Sequence, residues 1–167
     1  MARPKDTYAN VAEIRVTDTG SGAGATEWAE LQTGISLGQG TGIIIDALEY
    51  SLTLPLLQAM DNDGDYITVG WATSNSIEID GVNQKQIIHR WSKYRIDAGT
   101  AANAEFVDVP VKFDFFPSII LAAPRLYAGI VNNLGGNYTV DFRMYFRYVD
   151  LTTQEYLELA EAFVLVG

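Results

Sequence analysis

The segment MDNDGDYITVGWATS places three aspartates, Asp61, Asp63 and Asp65, at alternate positions. Carboxylates spaced in this way open the calcium loop of an EF-hand, which continues with Gly at position 6 and a bidentate Glu at position 12. Tyr66 and Ala72 occupy those positions here. The Asp-Gly pair instead favours a tight hairpin between ALEYSLTLPLLQA and YITVGWAT, because Gly supplies positive φ. We therefore predict a turn that binds neither a metal nor a cofactor. If a metal does bind, the three aspartates are the candidate ligands.

The other residues that support acid–base or nucleophilic chemistry form no catalytic pattern. His89 is the only histidine, which favours a structural role over a multi-histidine metal site. Ser92, like the other serines, lies outside a Gly-x-Ser-x-Gly elbow. A glycosidase needs two carboxylates at a suitable separation, and two acidic pairs are candidates, although such pairs are more typical of solvated surfaces. These pairs are Glu78 with Asp80 and Glu155 with Glu158. We predict that the protein is not an enzyme.

One cluster combines cationic and aromatic side chains: Arg90, Trp91, Lys93, Tyr94 and Arg95. Such a cluster can stack bases or sugars. The alternative is a strand whose aromatic residues pack inward while its cationic stems reach solvent. The chain carries 21 acidic and 11 basic residues, a formal charge of −10, which repels phosphate backbones. The charge favours the strand interpretation and argues against direct binding of nucleic acid.

The elements that must position these residues are mostly strands. YTVDFRMYFRYVD alternates apolar and polar residues, as a half-buried strand does. We expect SIILAAPRLYAGIVNN to form one continuous apolar strand that pairs with YTVDFRMYFRYVD through the turn LGGN. Pro117 is expected at the start of a strand and Pro124 at a bulge. TEWAELQTGISL favours a strand over a helix, and Pro55 indicates an edge position, a bulge or a strand break. The spacing of the turn signals predicts an all-β domain.

A short helix is predicted to follow the last strand. Thr152 and Glu155 have the spacing of a capping box. In this motif the Thr side chain accepts from the backbone N–H of the Glu, and the Glu side chain accepts from the backbone N–H of the Thr. An apolar stripe and an apolar tail follow, which soluble proteins usually cover. We interpret part of this surface as a subunit contact, and the alternative is that the helix plugs one end of its own barrel. The candidate interface residues are Tyr156, Phe163, Val164, Leu165 and Val166, and the stripe also includes Leu157 and Ala160.

Length and composition predict one globular domain over residues 1–167, with a flexible segment at 1–10 and the helix and tail at 152–167. The 48% hydrophobic content is that of a packed protein and not of a disordered one. The absence of cysteine excludes disulfide and thiolate chemistry. We expect neither a signal peptide nor a transmembrane segment, because the sequence has no long apolar run.

The order of these segments resembles small single jelly-roll major capsid proteins of icosahedral viruses, known from archaeal, bacterial and metagenomic viruses. The similarity lies in GIIIDALEY and GWATS early in the chain, then FFPSIILAAPRLYAGIVNN, then FRMYFRYVDLTTQEYLELAEAF. The resemblance implies eight antiparallel strands in two sheets, with a short C-terminal helix here. It also implies a structural protein that assembles as pentamers or hexamers into an icosahedral shell, located in the virion and assembled in the host cytoplasm.

The N-terminus departs from that pattern. Many capsid proteins carry a basic N-terminal arm that binds the genome. In MARPKDTYAN the only basic residues are Arg3 and Lys5. Other virion proteins or an internal membrane fit such a subunit better as partners. Two further functions stay open: a carbohydrate- or receptor-binding jelly roll such as a lectin or a viral spike head, using aromatic loop residues and the aspartate turn with calcium, and a glycan-processing enzyme with a carboxylate pair in a groove.

Overall fold

The structure is a computed structural model, and it describes residues 3–4, 9–19, 24–35, 40–81, 85–96, 110–134 and 136–163. Strands dominate, and two helices accompany them. In chain order the elements are β1 (Arg3–Pro4), β2 (Asn10–Thr17), β3 (Glu27–Gln32), β4 (Thr41–Leu52), α1 (Leu54–Ala59), β5 (Tyr66–Ala72), β6 (Ile87–Tyr94), β7 (Val111–Leu121), β8 (Arg125–Asn132), β9 (Thr139–Asp150) and α2 (Thr153–Phe163).

The strands form two antiparallel sheets with the nested pairing of a jelly roll. Sheet 1 has the order β2-β9-β4-β7, and the two-residue strand β1 also pairs with β9. Sheet 2 has the order β3-β8-β5-β6. Strand β2 pairs with β9, β3 with β8, β4 with β7 and β5 with β6, so each pair encloses the next along the chain. Two Greek keys folded into one sandwich give this arrangement. The predicted eight-stranded jelly roll with a short C-terminal helix is confirmed.

The core lies between the two sheets and follows the period of two along each strand. In β9 the predicted apolar face is confirmed, since Val140, Phe142 and Met144 are buried in the core. In β4 a bulge at Asp46 inserts one extra residue between Ile45 and Ala47. Because the bulge shifts the alternation by one, the core residues change from odd to even numbers beyond it. This is why GIIIDALEY reads as nearly continuous apolar sequence.

The hairpin predicted around the aspartate turn is wrong, because β4 and β5 belong to different sheets. The chain leaves sheet 1 after Leu52, forms α1 and crosses to sheet 2. Gly64 does have a φ of 85°, so the positive φ expected of the Asp-Gly pair is present. Pro55 lies in the first turn of α1, just after the end of β4. Backbone N–H groups of a first helical turn have no acceptor within the helix, so a proline there costs no hydrogen bond.

The single strand predicted over SIILAAPRLYAGIVNN is also wrong. It contains the end of β7 and all of β8, which lie in opposite sheets and are joined across Ala122, Ala123 and Pro124. The described partners of β9 are therefore β1, β2 and β4 and not β8. Pro117 lies within β7, preceded by a cis peptide bond, and does not start the strand. Around it, between Asp114 and Ile119, β7 departs from its ladder with β4.

Candidate functional site

The aspartate turn is held by hydrogen bonds to its own backbone. Asp65 is buried, and its Oδ2 accepts from the Asn62 N–H at 2.8 Å. The Asn133 side chain bridges the turn to β5, since it donates to the Gly64 carbonyl at 3.1 Å and accepts from the Tyr66 N–H at 2.9 Å. Among the described residues, no three acidic or histidine side chains converge on a position where they could hold a metal ion. Asp65 is thus used to stabilise the turn.

His89 lies between the sheets, near the edges formed by β6 and β7. Its Nδ1 is 2.7 Å from the Tyr50 hydroxyl, and its ring centroid is 4.5 Å from that of Phe113 and 5.5 Å from that of Phe115. Burial lowers the pKa of His89 and raises that of Tyr50. A neutral imidazole in an aromatic cluster, hydrogen-bonded across the sandwich, fits the structural role that the sequence favours.

The predicted cluster on β6 is divided between the two faces of its strand. Trp91 packs against the core, whereas Tyr94 lies on the outer face of sheet 2, opposite Tyr66. Arg90 donates to the carbonyls of Asp80 and Gly81 in the β5–β6 connection, and Arg95 donates to the Met60 carbonyl. The five residues therefore do not form one basic patch. The interpretation as a strand with an inward aromatic residue fits this placement.

In the two acidic pairs, three carboxylates accept hydrogen bonds from nearby residues. Glu155 accepts from the Thr152 backbone N–H at 2.9 Å, and this hydrogen bond and that from the Thr152 hydroxyl lower its pKa. Glu158 accepts from the Gln154 amide at 2.9 Å. In the other pair, Glu78 accepts from the Thr26 hydroxyl at 2.8 Å. Three of the four carboxylates thus already serve local structure.

The outer face of sheet 1 carries a set of ion pairs, which we call the ion-pair face; all of them join different strands except Lys112 and Asp114, which both lie on β7. Arg15 and Asp141 make two contacts, Nε to Oδ1 at 2.6 Å and Nη2 to Oδ2 at 3.1 Å. Arg143 lies 2.6 Å from Glu13 and 3.3 Å from Glu49. The face continues with Arg147 and Asp46, whose two contacts are 2.8 Å each, and with Lys112 and Asp114 at 2.9 Å. Charges of opposite sign alternate across four strands.

A depression of about 580 Å³ lies within the ion-pair face, lined by Glu13, Ile14, Arg15, Glu49, Ser51, Pro110, Asp141, Phe142 and Arg143. Each of its charged side chains pairs with another of opposite charge in the same set. A charged ligand would have to displace one of these pairs in order to bind. The depression is therefore better suited to stabilising the sheet than to recognising a charged molecule.

Our sequence interpretation missed this face, although a signal for it exists. Glu13 and Arg15 follow the same order, acidic then basic two residues later, as Asp141 and Arg143. An antiparallel register places Glu13 opposite Arg143 and Arg15 opposite Asp141, as observed. Reading the two strands as partners requires knowing that the first strand of the sandwich pairs with the last.

Helix α2 lies against the outer face of sheet 1 near the end of β9. The capping box is confirmed. The Glu155 N–H donates to the Thr152 hydroxyl at 3.2 Å, and the Thr152 N–H donates to the Glu155 carboxylate. Tyr156 is 8% exposed and belongs to a second core with Ile44, Ala122, Val149 and Leu151. Leu157, predicted in the apolar stripe, is 54% exposed. Of the other interface candidates, the Phe163 side chain and Val164, Leu165 and Val166 lie outside the described residues.

Neither helix in the described part of the chain is long and apolar enough to span a membrane.

Comparisons with known proteins yield structural neighbours alone. The sequence matches no protein family model, and no curated protein matches it. An unassembled pentamer of VP1 from Washington University polyomavirus, a point mutant, superposes with a TM-score of 0.44 and 12% identity, covering 90% of this chain and 96% of that one. A lipoprotein from Bacteroides thetaiotaomicron superposes with a TM-score of 0.32 and 11% identity, covering 90% and 87%. Such distant likenesses do not bear on function, and the jelly-roll assignment rests on the strand pairing.

Proposed function

We propose that this protein is a structural subunit that assembles with copies of itself into an icosahedral viral shell. The observation that supports the proposal is the nested pairing of eight strands into one jelly roll, with an order of segments that resembles small capsid proteins. The described residues bring together no set of groups arranged for catalysis, and the cations of the ion-pair face are neutralised within the chain. A protein of this kind acts through its surfaces.

The chain termini support a role in joining subunits. In the ladder between β1 and β9, Arg3 lies opposite Asp150. Strand β1 therefore lies at the end of β9 that leads into α2. The Leu151 N–H donates to the Gly40 carbonyl, which places the β3–β4 connection at the same end of the sandwich. Residues 5–8, within the predicted flexible segment, lie outside the described residues. Strand β1 and the start of α2 thus lie at one end of the sandwich, and we assign the subunit contact to that end.

The helix suggests which part of the C-terminal segment makes that contact. Tyr156 is buried against its own sheet, whereas Leu157, the next residue, is exposed. Leu159 also packs on the second core. We therefore assign the inner face of α2 to the subunit itself, and its exposed face at Leu157, with the tail of Val164, Leu165 and Val166, to the neighbour. The partners we propose are further copies of this chain, as pentamers or hexamers, and other virion proteins, in a virion assembled in the host cytoplasm. The net charge of −10 argues against direct contact with nucleic acid.

Size in solution tests the proposal. The purified chain would be examined by size-exclusion chromatography with light scattering and by negative-stain electron microscopy, across protein concentration and salt. We expect pentamers, hexamers or closed particles. A chain that stays monomeric or forms only a small dimer or trimer under all conditions would contradict shell formation.

A further inference from the structure

The outer face of sheet 2 carries an exposed aromatic pair. Tyr66 of β5 and Tyr94 of β6 lie directly opposite each other, with ring centroids 5.9 Å apart and an interplanar angle of 28°. Tyr94 is 58% exposed. Among the described strands β6 lies at the edge of sheet 2, with β5 as its one neighbour. The stack with Tyr66 covers one face of its ring, and the exposed part of the side chain can contact a ligand.

The connection between β5 and β6 is fixed over the same face of sheet 2. Ile79 is fully buried on Gly70, where a Cβ would come within 2.9 Å of Ile79 Cδ1 and 2.4 Å of the His89 carbonyl oxygen. The Ile79 N–H donates to the Thr26 hydroxyl at 3.0 Å. From the other side, Arg90 Nη1 donates to the carbonyls of Asp80 and Gly81 at 3.1 and 3.0 Å. The position of Asp80 is thus set by packing and hydrogen bonds and does not await a ligand.

These elements bring polar groups to the border of the aromatic pair. Burial raises the pKa of the Tyr66 hydroxyl, and the negative charge of Asp80 and the neighbouring Tyr94 raise it further. Thr68 and Ser92 form the next cross-strand pair along the face, with their hydroxyl oxygens 2.8 Å apart. Thr68 is fully buried, so the groups that border the exposed surface are the Tyr94 ring, the Tyr66 hydroxyl and the Asp80 and Arg90 side chains.

We propose that Tyr94, Tyr66, Asp80 and Arg90 form a binding site for a neutral oligosaccharide. The apolar C–H face of one sugar ring would lie on the exposed part of the Tyr94 side chain, while sugar hydroxyls donate to Asp80 and accept from Arg90. Tyr94 and Arg90 are four residues apart on one strand, about 13 Å, so the site suits two or three linked sugars. This activity is separate from the assembly proposed above.

The charge of the protein distinguishes this ligand from other molecules that stack on aromatic rings. Single-stranded nucleic acids also stack on tyrosine, but they require a positively charged groove for their phosphates. This chain has a net charge of −10, and Asp80, whose negative charge acts on Tyr66, would add to the repulsion of phosphates. A neutral ligand rich in hydroxyl groups meets no such repulsion and can use the carboxylate as an acceptor.

Saturation-transfer NMR and calorimetry with defined trisaccharides would test the site: maltotriose, cellotriose, mannotriose and triacetylchitotriose. We expect at least one to bind the full chain, with affinity reduced about tenfold in Tyr94→Ala, which removes the stacking ring, and reduced about fivefold in Asp80→Asn. Tyr94→Phe keeps the ring and should retain binding. Phe116→Ala is the matched control, because Phe116 is another fully exposed aromatic residue, on the other sheet.

Two outcomes would overturn the proposal: no trisaccharide binds the unmodified chain, or Phe116→Ala weakens binding as much as Tyr94→Ala. If Tyr94→Ala fails to fold, Asp80→Asn on the surface still provides the test, and unchanged affinity in that variant would contradict the site. Light scattering on the same samples reports assembly independently. A chain that assembles without binding sugar, or binds sugar without assembling, therefore separates the two proposals.

Discussion

The single histidine, His89, should make the stability of the fold depend on pH below neutrality. Burial lowers the pKa of His89 below its ordinary value of 6.5. Below pH 6.5 the unfolded chain therefore binds a proton that the folded chain excludes. Stability from this group is complete above pH 6.5 and is lost as the pH falls from there through the folded pKa. Because one proton is involved, stability can fall by no more than about 1.4 kcal/mol per pH unit.

Removing the imidazole should have a separate effect at neutral pH. His89→Phe keeps an aromatic ring beside Phe113 and Phe115 but deletes the ring nitrogen 2.7 Å from the Tyr50 hydroxyl. Tyr50 is fully buried, so its hydroxyl would be left without that partner, at a cost of about 1–3 kcal/mol. The double variant His89→Phe, Tyr50→Phe removes both polar groups. We expect it to recover much of that loss.

Urea unfolding of the unassembled subunit, followed by tryptophan fluorescence between pH 7.5 and 5.5, would measure both effects. The unmodified chain should lose stability over this interval, and His89→Phe should not. The hydrogen bond from Arg147 lowers the pKa of Asp46 from 3.8, so this carboxylate loses its contribution only at more acidic pH. Equal pH dependence in the two chains would show that His89 is not the titrating group and would refute the reasoning.

Three further predictions test the core, the aspartate turn and the tail. Phe142→Asp should destabilise the fold by several kcal/mol, because it buries an unpaired charge, while Arg143→Asp on the outer face should have a much smaller effect; equal effects in chemical denaturation would contradict the two-faced strand. The aspartate turn should bind calcium no more tightly than about millimolar, and calorimetry that finds micromolar binding lost in Asp63→Ala would show otherwise. Deleting residues 164–167 should leave a folded subunit that does not assemble; full-size particles in electron microscopy, or a chain that fails to fold, would exclude the proposed contact.

The parts of the fold that the sequence predicts correctly are those set by local chemistry. The alternation around Phe142 shows which residues of β9 face the core, because a half-buried strand has a period of two. Thr152 and Glu155 satisfy each other's donors within one turn, so the start of α2 can be predicted without knowledge of the rest of the chain. In both cases the residues that determine the structure are near neighbours in sequence.

The connections between sheets could not be predicted in this way. Asp-Gly before β5 and LGGN before β9 have the residues of tight turns, yet both connections carry the chain from one sheet to the other. Turn residues specify the backbone angles at a bend, such as the positive φ of Gly64. They do not specify whether the next strand continues the same sheet, because that depends on which apolar faces are buried together.

The candidate sites show the same limit. Tyr66 and Tyr94 lie far apart in sequence and become a pair only through the register of β5 and β6. Asp80 joins them because Ile79 packs on Gly70, a contact that no local pattern predicts. His89 was identified from its rarity alone, and its partner Tyr50 lies on a strand of the opposite sheet.

The nested strand pairing also bears on the order in which this chain gains its contacts. β5 and β6 are separated by one connection, whereas β2 must find β9 near the other end of the chain. Loop-closure entropy rises with the length of chain enclosed, so we expect the innermost pair to form first and each outer pair to be added to it. On this order the ion pairs of Glu13 and Arg15 with β9 form last. Hydrogen exchange during refolding should accordingly protect β5 and β6 before β2.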